Sequence, residues 1–112
     1  METYVFLLQW TESGLQRAAN SVERATKTIE AMERLGVRIF ETYWTVGPYD
    51  LLMVAECPDA ETAHAVGLDM ESRGNVRATP MRAFDRTEMQ RVVKIAEGAA
   101  DQRDHDASDG QG

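Results

Sequence analysis

Tyr4-Val5-Phe6-Leu7-Leu8-Gln9-Trp10, running into Thr11-Glu12-Ser13-Gly14, is the stretch whose reading decides the fold. Aromatic and branched residues stand on both parities, and the run stops at a cluster of helix-starting residues. It therefore reads as a buried strand that feeds a helix, with Ser13 and Gln16 spaced as a capping box.

Working outward, Leu15, Ala18, Val22, Ala25, Ile29 and Met32 alternate by three and four, which places one apolar stripe on a helix. Asn20 and Ser21 are both good N-caps and could split this run into a turn and a longer helix. Gly36 stands where a helix C′ glycine is expected. Val37 to Val46 and Tyr49 to Glu56 read as strands two and three, joined at Gly47-Pro48 as a hairpin. Asp59 to Arg73 reads as a second helix, with Ala63, Val66, Gly67 and Met70 on its apolar side. Val76 to Phe84 is a fourth strand, and Pro80 within it demands an edge position. Arg86 to Ala96 is a short third helix.

The order βαββαβ is satisfied by two interlocked right-handed crossovers. The expected architecture is an α+β, ferredoxin-like antiparallel sheet of order 4-1-3-2. A chain of 112 residues holds one core, here residues 1–96, and the remainder, 97–112, is expected to be a disordered acidic tail.

Charge and composition exclude several classes. The net charge of −7 argues against nucleic acid and anionic membranes as partners. Part of that charge sits in the tail, where Glu97, Asp101, Asp104, Asp106 and Asp109 face Arg103 alone. Cys57 is the single cysteine, so no internal disulfide or cysteine-rich zinc site is available, and a buried inert thiol is expected. The start, Met1-Glu2-Thr3-Tyr4, carries no basic leader and no apolar run reaches membrane-span length, so a cytoplasmic location is expected.

Strand one offers Tyr4, Phe6, Leu8 and Trp10 on one parity and Val5 and Leu7 on the other; strand three offers Leu51, Met53 and Ala55 against Leu52 and Val54. Two helices cover one face only. The other is expected to meet a second copy of the chain, giving at least a homodimer, unless the third helix and tail fold over it.

Thr45-Val46-Gly47-Pro48-Tyr49-Asp50-Leu51 resembles the signature of the GYD domain family, and Trp10-Thr11-Glu12-Ser13-Gly14 and Gly74-Asn75-Val76-Arg77-Ala78-Thr79 are similar to two more of its segments. The resemblance covers roughly residues 1 to 92. It implies a dimeric α/β barrel of ferredoxin-like fold and leaves the activity open.

The topology brings the ends of strands one and two and the starts of three and four to one edge of the sheet. Trp10, Thr11, Trp44, Gly47, Tyr49, Asp50, Asn75 and Arg77 are therefore the candidate ligand-binding residues, a mix suited to a small organic ligand or a partner chain. A purely structural role for the same residues, with Asp50 capping the turn or pairing with Arg77, stands beside it. No metal set, phosphate loop or Ser-His-Asp pattern is present, and no cofactor is expected. Two other readings stay open. One is a cofactor-independent enzyme, monooxygenase- or isomerase-like, with Asp50, Tyr49 or Glu41 as base. The other is haem binding through His64, the single histidine of the body.

Overall fold

The computed structural model describes the backbone of residues 1–111 and the side chains of residues 1–103. In chain order the elements are β1 (Glu2–Trp10), α1 (Glu12–Gln16), a 3₁₀ turn (Ala18–Asn20), α2 (Ser21–Glu33), β2 (Arg38–Trp44), β3 (Leu51–Cys57), α3 (Ala60–Ser72), β4 (Val76–Ala83) and α4 (Arg86–Gln111). The sheet order is β2-β3-β1-β4, which is 4-1-3-2 from the other edge. All three pairings are antiparallel, and Pro80 lies on an edge strand. The fold is the expected ferredoxin-like α+β arrangement.

Parity sorts the strands. Tyr4, Phe6, Leu8, Leu51, Met53 and Ala55 are buried beneath α2 and α3. A bulge between Ile39 and Glu41 switches the parity of β2, so that Ile39 and then Thr42 and Trp44 share the helix side. That bulge is the reason its apolar residues fall on both parities in sequence. Val5, Leu7, Leu52 and Val54 form the opposite face, half-buried by their neighbours, with Tyr43 and Met81 flanking them exposed. No helix covers this face among the described residues.

The first helical run departs from the expected stripe. The N-cap of α1 is Thr11, whose hydroxyl accepts from the Gly14 N–H at 3.1 Å, and Ser13 lies inside the helix. The 3₁₀ turn breaks the period at Asn20, so Leu15 and Val22 are exposed and Ser21 faces inward instead. Ser21 tolerates burial because its hydroxyl accepts from Trp44 Nε1 at 2.7 Å. The later helices follow expectation more closely. The Asp59 carboxylate caps α3 through the Thr62 N–H at 2.7 Å, and hydrogen bonding from the Thr62 side chain, together with that N–H, holds its carboxyl below the usual range.

The last helix is longer than expected: α4 continues to Gln111 where Ala96 was the expected end. Gly98 alone weakens a helix by only about 1 kcal/mol, and the Ala99, Ala100, Gln102 and Arg103 that follow it favour helix. Of the expected acidic tail, Gly112 and the side chains from residue 104 onward lie outside the described residues. The start of α4 is fixed by a capping box in which Asp85 Oδ1 accepts from the Glu88 N–H at 2.7 Å and Glu88 Oε1 accepts from the Asp85 N–H at 3.1 Å. Arg82 donates to Glu88 at 2.8 Å and lies 4.5 Å above the Phe84 ring, and the bond from Arg82 holds the Glu88 carboxyl below the usual range. Beyond that first turn α4 stands clear of the sheet, with Met89, Val93 and Ile95 exposed.

Cys57 ends β3 fully buried, and burial pushes its thiol up to about 11. A neutral, enclosed thiol at neutral pH is chemically inert, as expected from its position.

Gly14 is the tightest point of the fold. A Cβ there would stand 1.9 Å from the Asn75 carbonyl oxygen, so α1 meets the start of β4 backbone to backbone. Gly14→Ala is expected to lower the unfolding free energy by about 3 kcal/mol, because neither main chain can yield. Gly98→Ala, which meets open space, should leave the denaturation midpoint unchanged or slightly raised. Urea titrations of the two variants check the pair.

Candidate functional site

The sheet edge holds most of the expected residues in a hydrogen-bonded clasp. The Asp50 carboxylate accepts from the Trp10 backbone N–H at 2.8 Å, and the Asp50 N–H donates to the Leu8 carbonyl at 2.8 Å. Asp50 thus continues the β1–β3 ladder past its last paired residues, Leu8 and Leu51. One residue on, the Thr11 N–H donates to the Asn75 carbonyl at 3.0 Å and the Thr11 hydroxyl to the Gly74 carbonyl at 2.5 Å. Asp50 and Thr11 together tie the end of β1 to the starts of β3 and β4.

The β2–β3 hairpin is fixed from both sides. Thr45 N–H donates to the Asp50 carbonyl at 2.9 Å, the Thr45 hydroxyl to the Tyr49 carbonyl at 2.6 Å, and Gln9 Nε2 to the Pro48 carbonyl at 2.9 Å. Gly47 has φ +143°, a conformation that favours glycine. Val46 at the tip is fully exposed, and Trp44 stays partly exposed beside it.

The structure therefore separates the eight expected residues. Trp10 and Asn75 turn toward a cleft on the helix side of the sheet. Thr11 and Asp50 are consumed in the clasp. Trp44 bonds to Ser21 at the margin of the cleft, and Gly47 and Tyr49 belong to the hairpin. Arg77, opposite Gln9 in β4, is exposed, and no ion pair joins it to Asp50 among the described residues. The Asp50 carboxylate therefore takes neither structural role expected of it, capping the turn or pairing with Arg77, and instead holds the Trp10 N–H of β1.

The cleft lies between α2 and α3, which do not pack closely against each other. Its volume is about 120 Å³. Its floor is Leu8, Leu51, Met53 and Met70, all buried, and Trp10 forms one wall. The Asn75 side-chain carbonyl oxygen is buried there without a partner, the single such atom among the described residues. Ser21, Arg24, Lys27 and Arg73 also line the cleft. The sequence did not single these out, because charged residues on a helix ordinarily mark its solvated side and nothing local says that two helices will stand apart.

His64 is exposed on the outer side of α3, beside a shallow surface dip shared with Leu68. It faces away from Ala63, Val66 and Met70, which pack on the sheet, and away from the cleft. The described residues contain no cluster of metal-ligating side chains, and no helix among them is long and apolar enough to cross a membrane.

The family model for the GYD domain matches residues 4–93. A protein of Thermus thermophilus named glutamine synthetase and cystathionine beta-lyase binding protein is 33% identical over 85 residues, covering 75% of this chain and 90% of that relative. No solved structure matches significantly.

The clasp makes a stability prediction. Asp50→Ala removes a charge-assisted bond to a backbone N–H and should cost about 2 kcal/mol, whereas Asp50→Asn, which keeps an acceptor in place, should cost less than about 1 kcal/mol. Chemical denaturation of both variants measures the difference.

Proposed function

This chain belongs to the GYD domain family, and from that premise we propose that it is a non-catalytic binding module that engages a partner protein through the tip of its β2–β3 hairpin while pairing with a second copy of itself through the open face of the sheet. The observation that carries the reading is the relative, which aligns over 90% of its length and is named for binding two enzymes.

The hairpin supplies a suitable surface. Val46, Pro48 and the neighbouring Trp44 present apolar area to solvent, and the hydrogen bonds from Thr45 and Gln9 hold the loop in one shape. A loop already ordered loses little conformational freedom on binding, which favours recognition by a small contact. The open face, with Val5, Leu7, Leu52 and Val54 at its centre, is the kind of contiguous apolar surface that a twofold dimer covers. The clasp roles of Asp50 and Thr11 support the binding reading over the enzymatic one, since the carboxylate considered as a base already serves the backbone.

Two enzymes follow as first partners to test: glutamine synthetase and cystathionine beta-lyase from the protein's own source. The purified chain should co-elute with at least one of them in size-exclusion chromatography. Val46→Asp, at a fully exposed position, should abolish co-elution with the melting temperature unchanged. Absence of co-elution with both enzymes, or co-elution indifferent to Val46→Asp, would contradict the proposal.

A further inference from the structure

The cleft between α2 and α3 has a charge pattern opposite to that of the whole molecule. The chain carries −7, yet the residues lining the cleft include three cations, Arg24, Lys27 and Arg73, and no carboxylate. Lys27 meets Glu23 at 3.6 Å and Arg73 meets Asp69 at 3.1 Å, both i,i+4 pairs with side chains 42% or more exposed. Such exposed pairs are weak and exchange readily with water or a competing anion. The Arg24 guanidinium donates to the Arg17 carbonyl at 2.6 Å and has no carboxylate partner among the described residues.

Behind this rim the floor is apolar, formed by the buried Leu8, Met53 and Met70. The wall adds the Asn75 side-chain oxygen, a buried acceptor that the fold leaves unmet, which calls for a donor on the body of a ligand and plays no part in holding a carboxylate. A cavity with an apolar floor and a few polar groups at one end selects a ligand of matching polarity. Its volume of about 120 Å³ admits only a compact molecule.

We propose that this cleft is a binding site for a small organic carboxylate, its apolar body on Leu8, Met53 and Met70 and its carboxylate at Arg24, with Lys27 and Arg73 adding to the positive field. Arginine suits the role, because its guanidinium presents paired donors that match a carboxylate. The site is on the helix side of the sheet, separate from the hairpin tip, so it stands or falls independently of partner binding.

Benzoate and its neutral isostere benzamide are suitable probes, followed by calorimetry and by tryptophan fluorescence, since Trp10 walls the cleft and Trp44 bonds to Ser21 at its margin. Benzoate is expected to bind the full-length protein, with benzamide at least about tenfold weaker. Arg24→Gln should weaken benzoate by about tenfold or more and leave benzamide unaffected. Lys27→Gln, at an exposed position, should weaken benzoate by a smaller factor, because its charge acts through solvent. Thermal melts confirm that both variants are folded. No binding of benzoate up to about 10 mM, equal binding of the two probes, or benzoate binding unchanged in both variants would overturn the proposal.

Discussion

The fold turns on a strand that is apolar on both sides. β1 is central, antiparallel to β3 and β4, and its two parities face different surroundings. Tyr4, Phe6 and Leu8 are buried under helices, while Val5 and Leu7 look out from a face that no described helix covers. Because side chains alternate strictly along a strand, no shift of register can hide both sets. One face is covered by the chain's own helices, and the proposed pairing with a second copy answers the demand that the other face makes.

Holding that strand in place is the work of its end. The Trp10 N–H is held by the Asp50 carboxylate and the Thr11 N–H by the Asn75 main-chain carbonyl, and Gly14 lets α1 lie against that same carbonyl. With the edge fixed in this way, α2 is drawn toward β2, where Ser21 meets Trp44, and α3 toward β4. The two helices are pulled apart rather than together. The cleft between them is thus a consequence of how each helix is anchored, and it inherits an apolar floor from the sheet and a cationic rim from the helix sides.

Much of this was legible from residues alone. The double parity of β1 and β3, the edge position required by Pro80, and the hairpin at Gly47-Pro48 followed from local rules, and the strand order followed from handedness. Most of what was not legible depended on contacts distant in sequence. Asp50 looks like a free carboxylate until a strand forty residues earlier supplies the Trp10 N–H. Val22 looks like a core residue until a 3₁₀ turn rotates the helix and Trp44 makes Ser21 the better inward group. Arg24, Lys27 and Arg73 look like ordinary solvated charges because the gap they border is made by two helices that the sequence describes separately. The last helix reads as shorter in sequence because a glycine at position 98 resembles a stop signal when nothing opposes it, and the helix-forming residues after it do oppose it.

The proposed pairing of two copies through the second apolar face of the sheet is tested most directly by sedimentation equilibrium of the full chain at micromolar concentration, alone and as Leu7→Glu. The parent should sediment at twice its single-chain mass of 12.5 kDa, and Leu7→Glu, which places a charge at the centre of the open face, should sediment at the single-chain mass while remaining folded. A parent that sediments as a single chain, or a Leu7→Glu variant that keeps the doubled mass, would contradict it.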